Sequence, residues 1–389
     1  MARIAYFGIP AHGHTNPTLP VVQEMVSRGH EVLYYNAEAF RARIETTGVD
    51  FRPYPEPMPS ERAISEAMHE FINASLMISG MSERPDLILY DSVAMWGYIA
   101  ARSHAIPHIC SITHFVLNGS QRAIGLGTLA RFVLTTIPHA PALFKWRRRM
   151  AQQYGKDIAG GITEYGDLNL VFTSRAFHPR NSFVDERFRF VGPSINPATR
   201  DGDFPFDEVD DGTVVYISLG TINHLDMNFY RAAFEAFANY PAQFILSVGK
   251  NTEIERLGDV PANFIVRPYV PQLEVLQRAD AFITHGGLNS VHEGLYYGVP
   301  EVVAPHQFEQ LLNGKRVAEA GAGILLGDHY PYGRVTAAEL RTALDAVLND
   351  SAYRENAERI GETLRAAGGY PRAVEEIEAF LGVRAPQLA

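Results

Sequence analysis

Hydrophobic positions along the chain form two series in which short apolar runs alternate with segments of helical periodicity. In the first series, Leu19, Val22 and Val26 share one face of a helix that we expect to begin near Pro17 and to end at Gly29. The runs that predict the buried strands of this series are 3–7, 31–36, 86–90, 107–111, 168–172 and 188–191. Because strands that alternate with helices form parallel sheets, the pattern predicts a doubly wound α/β domain.

A proline-rich, acidic segment at 192–212 separates the two series and is typical of a linker. The second series has its predicted strands at 213–219, 243–248, 280–284 and 302–305, and helical patterns fill the C-terminal part. We therefore predict an α/β protein with two facing Rossmann-like doubly wound domains and a cleft between them. The predicted boundaries are 1–195 for the first domain, 196–212 for the linker, 213–368 for the second domain and 369–389 for a C-terminal helix.

Composition supports two domains and narrows the class of protein. The chain has 389 residues, more than the ~250–300 at which single cores stop growing. Its net charge of -10 argues against a nucleic-acid partner. Cys110 is the only cysteine, and we recognise neither a signal peptide nor an apolar run long enough for a membrane span. We expect a cytoplasmic protein without a transmembrane segment, either a monomer or a homodimer.

The strongest chemical signal follows the strand predicted at 280–284. His285, Gly286 and Gly287 form a turn at the carboxyl end of this strand, and Asn289 and Ser290 open the next helix. Open α/β sheets bind their ligands at this edge, and a helix N-terminus presents unpaired N–H groups to a diphosphate. The glycines allow close approach of the backbone, and the three polar side chains can add donors to the same oxygens.

Other residues complete a predicted nucleotide site. Glu293 lies about one helical turn beyond Asn289, where its carboxylate can accept hydrogen bonds from a ribose diol. Tyr269 stands in a loop and can stack on a base. Ser218 and Thr221 follow the first strand of the second series, either as a further phosphate contact or as a capping turn.

These motifs resemble the donor-binding signature of family 1 glycosyltransferases, the UDP-sugar-dependent enzymes. The resemblance includes Gly-Val-Pro at 298–300 and Pro-His-Gln-Phe-Glu-Gln at 305–310. The resemblance is strongest to the bacterial macrolide and flavonoid branch, whose two-domain fold is called GT-B. It implies that the first domain binds the acceptor, that the second binds the nucleotide sugar and that the C-terminal helix crosses back to the first. The donor-binding positions that it implies are Ser218, Thr221, Tyr269, Val270, Gln272, His285, Gly287, Asn289, Ser290, Glu293, Glu309 and Gln310.

Two residues depart from the family's pattern. Tyr269 stands where tryptophan is usual for stacking on the base, and Glu301 places a carboxyl at the start of a strand that is usually apolar there.

The resemblance also selects a catalytic base. On the residues alone, the His12-Gly13-His14 sequence is compatible with a metal pair or a plain loop, and Asp91 with an N-cap of the helix that follows it. The family's Gly-His-x-x-Pro pattern, at 13–17 here, implies that His14 is the general base and that Asp91 orients it. A base is needed because an alcohol is a poor nucleophile while it holds its proton.

The resemblance implies an inverting transfer that uses no metal and no cofactor. Asp201 and Asp203 form an Asp-x-Asp sequence, but it lies in the predicted linker and is interpreted as a solvated loop. The co-substrate is expected to be a UDP-sugar, with glucose favoured by the Glu309–Gln310 ending, and a dTDP-sugar is the other option.

The expected acceptor is a small hydrophobic molecule with a hydroxyl, such as a macrolide, a flavonoid or another phenol, as in the glycosylation of antibiotics and other natural products. Its pocket is expected from 113–155 and the loop after Pro53. Two alternatives stay open: a UDP-sugar epimerase-like enzyme, and a catalytically inactive partner of another transferase.

Overall fold

The computed structural model describes most of the chain and divides it into two compact units. The described residues are 1–54, 84–116, 148, 152, 165–197, 204–220, 226–249, 252–328 and 334–384. Unit 1 comprises Met1–Ser174, Arg180–Ser194 and Ala367–Ala389, and unit 2 comprises Arg175–Pro179 and Ile195–Ala366.

Unit 1 is built on a parallel seven-stranded sheet in the order β3-β2-β1-β4-β5-β6-β7. Its strands are β1 (Arg3–Phe7), β2 (Glu31–Asn36), β3 (Asp50–Pro53), β4 (Leu87–Asp91), β5 (His108–Ile112), β6 (Leu168–Val171) and β7 (Phe188–Phe190). Its described helices are α1 (His12–Ser27), α2 (Arg41–Glu45), α3 (Met95–His104) and the C-terminal α10 (Gly369–Arg384). Val374 and Ile377 of α10 join Leu19 and Val22 of α1 in one core cluster, so the end of the chain packs in unit 1.

Unit 2 repeats the architecture with a parallel six-stranded sheet in the order β10-β9-β8-β11-β12-β13. The strands are β8 (Val214–Ser218), β9 (Gln243–Ser247), β10 (Phe264–Arg267), β11 (Ala281–Thr284), β12 (Glu301–Val303) and β13 (Gly323–Leu325). The helices are α4 (Met227–Phe237), α5 (Gln272–Leu276), α6 (Leu288–Tyr296), α7 (Phe308–Glu319), α8 (Ala337–Asn349) and α9 (Ser351–Ala366). The two sheets confirm the predicted fold class of two doubly wound α/β domains.

The start of α1 corrects the sequence prediction. The helix begins at His12 rather than near Pro17, so His14 lies inside its first turn instead of before it. Pro17 has no N–H to donate to the carbonyl four residues earlier, and its ring crowds that carbonyl, yet the helix runs through this position near its start. The backbone N–H groups of His14 and Thr15 both donate to the carbonyl of Ala11, which starts the helix one turn early.

Glu301 is buried in the middle of unit 2. It is the first residue of β12, its side chain is fully enclosed, and neither carboxyl oxygen has a hydrogen-bond partner among the described residues. Gly294 of α6 faces it, and a side chain at that position would collide with the carboxyl. Burial raises the pKa of Glu301 well above its usual value, because an apolar environment disfavours the charged form. The residue therefore stands in the strand as a neutral acid.

Candidate active site

The predicted base and its partner meet at the carboxyl edge of the unit 1 sheet. β1 leads into α1, which carries His14, and the adjacent strand β4 ends at Asp91. His14 Nδ1 lies 2.8 Å from Asp91 Oδ2. The side chain of His14 is 27% exposed and that of Asp91 only 1%. A carboxylate that accepts from Nδ1 fixes the imidazole tautomer whose Nε2 carries the lone pair, and it stabilises the imidazolium that forms when Nε2 takes a proton.

Asp91 does not cap the following helix, because α3 begins at Met95 with Ala94 as its N-cap. Its second carboxyl oxygen accepts instead from the backbone N–H of Val93 at 2.8 Å. This local turn and the contact with His14 engage both carboxyl oxygens, so Asp91 is a fixed rather than a mobile carboxylate.

Thr113 is a member of this cluster that sequence reasoning did not single out. Its hydroxyl oxygen lies 3.1 Å from His14 Nδ1, immediately after β5, the strand next to β4. The sequence feature that could have identified Thr113 is its position directly after β5, which is the third of the neighbouring strands β1, β4 and β5. His12, by contrast, packs its ring against Phe40 at a centroid distance of 5.0 Å.

In unit 2, the turn at His285 has the geometry expected of an anion site. α6 begins at Leu288 with Gly287 as N-cap, and among the described residues no side chain caps the helix and none in its first turn is acidic. Gly286 has a φ of 86°, and a side chain on it would approach Val303 Cγ1 to 2.6 Å. A helix start of this kind can bind an anion through its backbone N–H groups, and the side chains of Asn289 and Ser290 are partly exposed there.

Two glycines enclose the ring of His285. A Cβ on either Gly220 or Gly287 would stand 2.6 Å from an atom of the imidazole. Burial, with a smaller contribution from the charge of His306, lowers the pKa of His285 to about 4, and a hydrogen bond to the backbone of Ser218 opposes this shift. A neutral His285 carries no charge and has a single N–H, which can donate either to the backbone of Ser218 or to a phosphate oxygen.

The predicted nucleoside contacts form a connected hydrogen-bond chain. Gln272 Nε2 donates to Glu293 Oε2 at 2.5 Å, and the hydroxyl of Tyr216 donates to Gln272 Oε1 at 3.1 Å. Glu293 is buried, so its carboxylate is held in one orientation, whereas Tyr269 is exposed in its loop. Val270 is buried in the core of the unit, which leaves its backbone as the part that can contact a donor. Tyr216, on β8, was not predicted because only the folded sheet brings it to Gln272.

The two residues predicted to bind the sugar differ in their surroundings. Gln310 is buried, and its side-chain oxygen accepts from the backbone N–H groups of His306 at 2.8 Å and Gln307 at 3.1 Å, so it caps the start of its own helix, α7. Glu309 is exposed and accepts from Asn313 Nδ2 at 2.6 Å. Because the side-chain oxygen of Gln310 is engaged in this cap, the amide nitrogen is the part of the side chain that can contact a sugar.

Several predicted residues lie outside the described part of the chain. They are Thr221, the Asp201-x-Asp203 sequence, most of 113–155 and the loop after Pro53. Among the described residues, no group of three or more His, Cys, Asp or Glu side chains is arranged to hold a metal ion, and no helix is long and apolar enough to cross a membrane. The side chain of Ser218, which is described, is buried and accepts from the backbone N–H of Gly220 at 3.3 Å.

Comparison with known proteins agrees with this fold. A family profile described as the C-terminal domain of erythromycin biosynthesis protein CIII-like proteins matches residues 232–379. The chain is 33% identical to the uncharacterized UDP-glucosyltransferase YojK and 35% identical to the NDP-glycosyltransferase YjiC, both of Bacillus subtilis, over 97% of this chain and of each relative. The structure of the glycotransferase of kitacinnamycin superposes with a TM-score of 0.85, at 30% identity, over 98% of this chain and 99% of that one.

A likeness that extends over nearly the whole chain, on two sheets of this topology, makes the protein a glycosyltransferase with the GT-B fold. More narrowly, the chain belongs to the family 1 glycosyltransferases, in the bacterial branch that glycosylates macrolides and other natural products.

Proposed function

We propose that this enzyme is an inverting, metal-independent glycosyltransferase that moves glucose from UDP-glucose to a hydroxyl of a small hydrophobic acceptor, a macrolide, flavonoid or other phenol. The observation that carries the proposal is the 2.8 Å contact between His14 and Asp91, because it provides a base oriented for proton transfer. The predicted donor residues of unit 2 supply the matching nucleotide site.

In the proposed reaction, His14 Nε2 takes the proton of the acceptor hydroxyl while the acceptor oxygen bonds to the anomeric carbon. The bond from that carbon to the diphosphate oxygen breaks in the same step, and its electron pair leaves with the nucleoside diphosphate. A single displacement inverts the anomeric centre, so an α-linked donor gives a β-linked product. Asp91 stabilises the imidazolium that results.

The three candidate activities differ in what they require for donor turnover. Release of the nucleoside diphosphate should be measured from UDP-glucose and from dTDP-glucose, with and without a phenolic acceptor. A transferase releases nucleoside diphosphate only when the acceptor is present. An epimerase-like enzyme converts the donor alone, and an inactive partner of another transferase does neither. A panel of macrolide and flavonoid acceptors, read by mass spectrometry, then identifies the acceptor class.

Metal removal tests how the leaving diphosphate is stabilised. Dialysis against EDTA should leave the turnover rate unchanged, because the α6 N-terminus and the His285 donor are proposed to meet the charge that develops on the diphosphate. The control is the same sample with Mg²⁺ or Mn²⁺ restored. A rate that collapses in EDTA and returns with the cation would contradict the metal-independent mechanism.

Glu293→Ala should weaken UDP binding by about 1.5–3 kcal/mol, or roughly 10- to 150-fold, the usual contribution of hydrogen bonds to a charged group. The physical reason is that Gln272 holds the buried carboxylate in place to accept both ribose hydroxyls. Calorimetry with UDP provides the measurement, and the dideoxyribose analogue of UDP is the matched control, since it should bind the two proteins equally. A folded variant with unchanged UDP affinity would remove Glu293 from the site.

A further inference from the structure

A histidine–carboxylate pair joins two elements of unit 2 beside the predicted diphosphate site. His306 Nε2 lies 2.9 Å from Asp226 Oδ2, and His306 Nδ1 lies 3.1 Å from the carbonyl oxygen of Ala304. The other carboxyl oxygen of Asp226 accepts from the backbone N–H groups of Asn228 and Phe229, both at 3.1 Å, and so caps α4. The pair is largely shielded from water, with side-chain exposures of 11% for His306 and 22% for Asp226.

The contacts of the His306 ring bear on its charge. Both ring nitrogens of His306 face oxygen acceptors, a carbonyl and a carboxylate. A neutral imidazole donates from only one nitrogen, so its second lone pair would point at an oxygen, whereas the imidazolium donates to both. Burial raises the pKa of Asp226, but the hydrogen bond from His306 and those from the α4 backbone outweigh it, and the net pKa is lowered. The carboxylate is therefore a stable counter-ion for a protonated ring.

The loop that carries His306 packs directly on the His285 turn. The backbone N–H of His306 donates to Gln310 Oε1 at 2.8 Å. The carbonyl oxygen of Gln310 lies 3.0 Å from the position that a Cβ of Gly286 would take, and Asn313 Nδ2 donates to the carbonyl of Gly286 at 2.8 Å. His306 also acts electrostatically on His285 itself. The ring of Phe229 lies 6.4 Å from that of His306.

We propose that His306 is a positioning residue of the donor site: held by Asp226 as an imidazolium, it supplies a full positive charge beside the diphosphate and fixes the loop that leads to Glu309 and Gln310. The inference rests on the proposed function, which assigns the diphosphate to the His285 turn and the start of α6. His285 is neutral and a helix N-terminus contributes only about half a unit charge, so His306 is the stronger source of positive potential in this cluster.

His306→Gln tests the charge while it keeps an amide donor for Asp226. We expect it to weaken UDP binding by about tenfold at low ionic strength, the effect of one unit charge at a partly screened separation. Uridine, which has no phosphate, should bind the variant and the wild type equally, and the effect on UDP should shrink at high ionic strength. The matched control is His30→Gln, which removes another histidine–carboxylate pair, His30 with Glu378 at 3.2 Å in unit 1, and should leave UDP affinity unchanged.

The outcomes separate this inference from the proposed function. If the wild type binds neither UDP nor dTDP, the donor site itself is wrong and the inference fails with it. If the wild type binds UDP but His306→Gln binds it equally, or loses uridine affinity to the same extent, only the inference is overturned. NMR of the imidazole nitrogens in the wild type decides the matter even when the variant does not fold. Two protonated nitrogens on His306 near neutral pH support the inference, and a single one overturns it.

Discussion

Replacing His14 with alanine should lower kcat/KM for an aliphatic alcohol acceptor by about 10²–10⁴-fold, the usual contribution of a positioned general base. UDP affinity should stay nearly unchanged, because the residues predicted to bind the donor belong to unit 2 and His14 belongs to unit 1. An alcohol keeps its proton until late in the reaction and depends on the base most. A nitrophenol ionises near neutral pH and can attack as a preformed anion, so its rate should fall much less.

The His14 defect should therefore shrink as acceptor pKa falls, and raising the pH should partly rescue phenols but not alcohols. Asp91→Asn should show the same trend more weakly, since it removes only the carboxylate that orients the ring. His12→Ala is the matched control, because His12 packs on Phe40 and should leave the profile unchanged. The measurement is kcat/KM over acceptors of matched size and graded pKa. A defect that does not depend on acceptor pKa would mean that His14 positions the acceptor rather than taking its proton.

Removing the carboxyl of Glu301 should change the pH dependence of stability. In the unfolded chain this carboxyl ionises near its ordinary pKa of 4.5, whereas burial keeps it protonated in the folded protein. The unfolded state then binds fewer protons, so the free energy of unfolding falls as pH rises above that value. The loss can reach about 1.4 kcal/mol for each pH unit until the raised folded pKa is reached.

Glu301→Gln keeps the shape of the side chain and cannot ionise. Its free energy of unfolding, from urea titrations between about pH 5 and about pH 8, should lack this decline and should exceed that of the wild type at the upper end of the range. The control Glu362→Gln removes an exposed carboxyl of α9 and should keep the wild-type slope. Parallel curves for the wild type and Glu301→Gln would show that Glu301 is ionised in the folded protein.

Continuous burial made some elements of the fold predictable. β11 was predicted within one residue of its observed bounds, since strands covered on both faces of a parallel sheet are apolar throughout. β3 was missed, because its four residues end at Pro53, where a proline-rich loop was predicted to begin. The start of α1 was misplaced for a related reason: Pro17 marks a position that a helix tolerates but does not identify its first residue.

In the candidate site, too, residues that are close together in the sequence were easier to predict as a group than residues that are far apart. The His285 turn and the start of α6 are contiguous in sequence, so this strand–turn–helix arrangement could be predicted from the residues. The pairing of His14 with Asp91 came only through the family resemblance, because strand order brings together residues that are 77 positions apart. Asp226 and His306, separated by 80 positions, had no such guide and became visible only in the folded structure.

The central claim is that this chain transfers a sugar from a nucleotide to a hydroxyl with inversion. The most direct test is NMR of the product formed from α-linked UDP-glucose or dTDP-glucose, labelled at the anomeric carbon, and a phenolic acceptor. The account predicts that the label appears in a β-linked glucoside of the acceptor, with one nucleoside diphosphate released for each product. An α-linked glucoside, or a donor that is epimerised or hydrolysed while the acceptor stays unmodified, would contradict it.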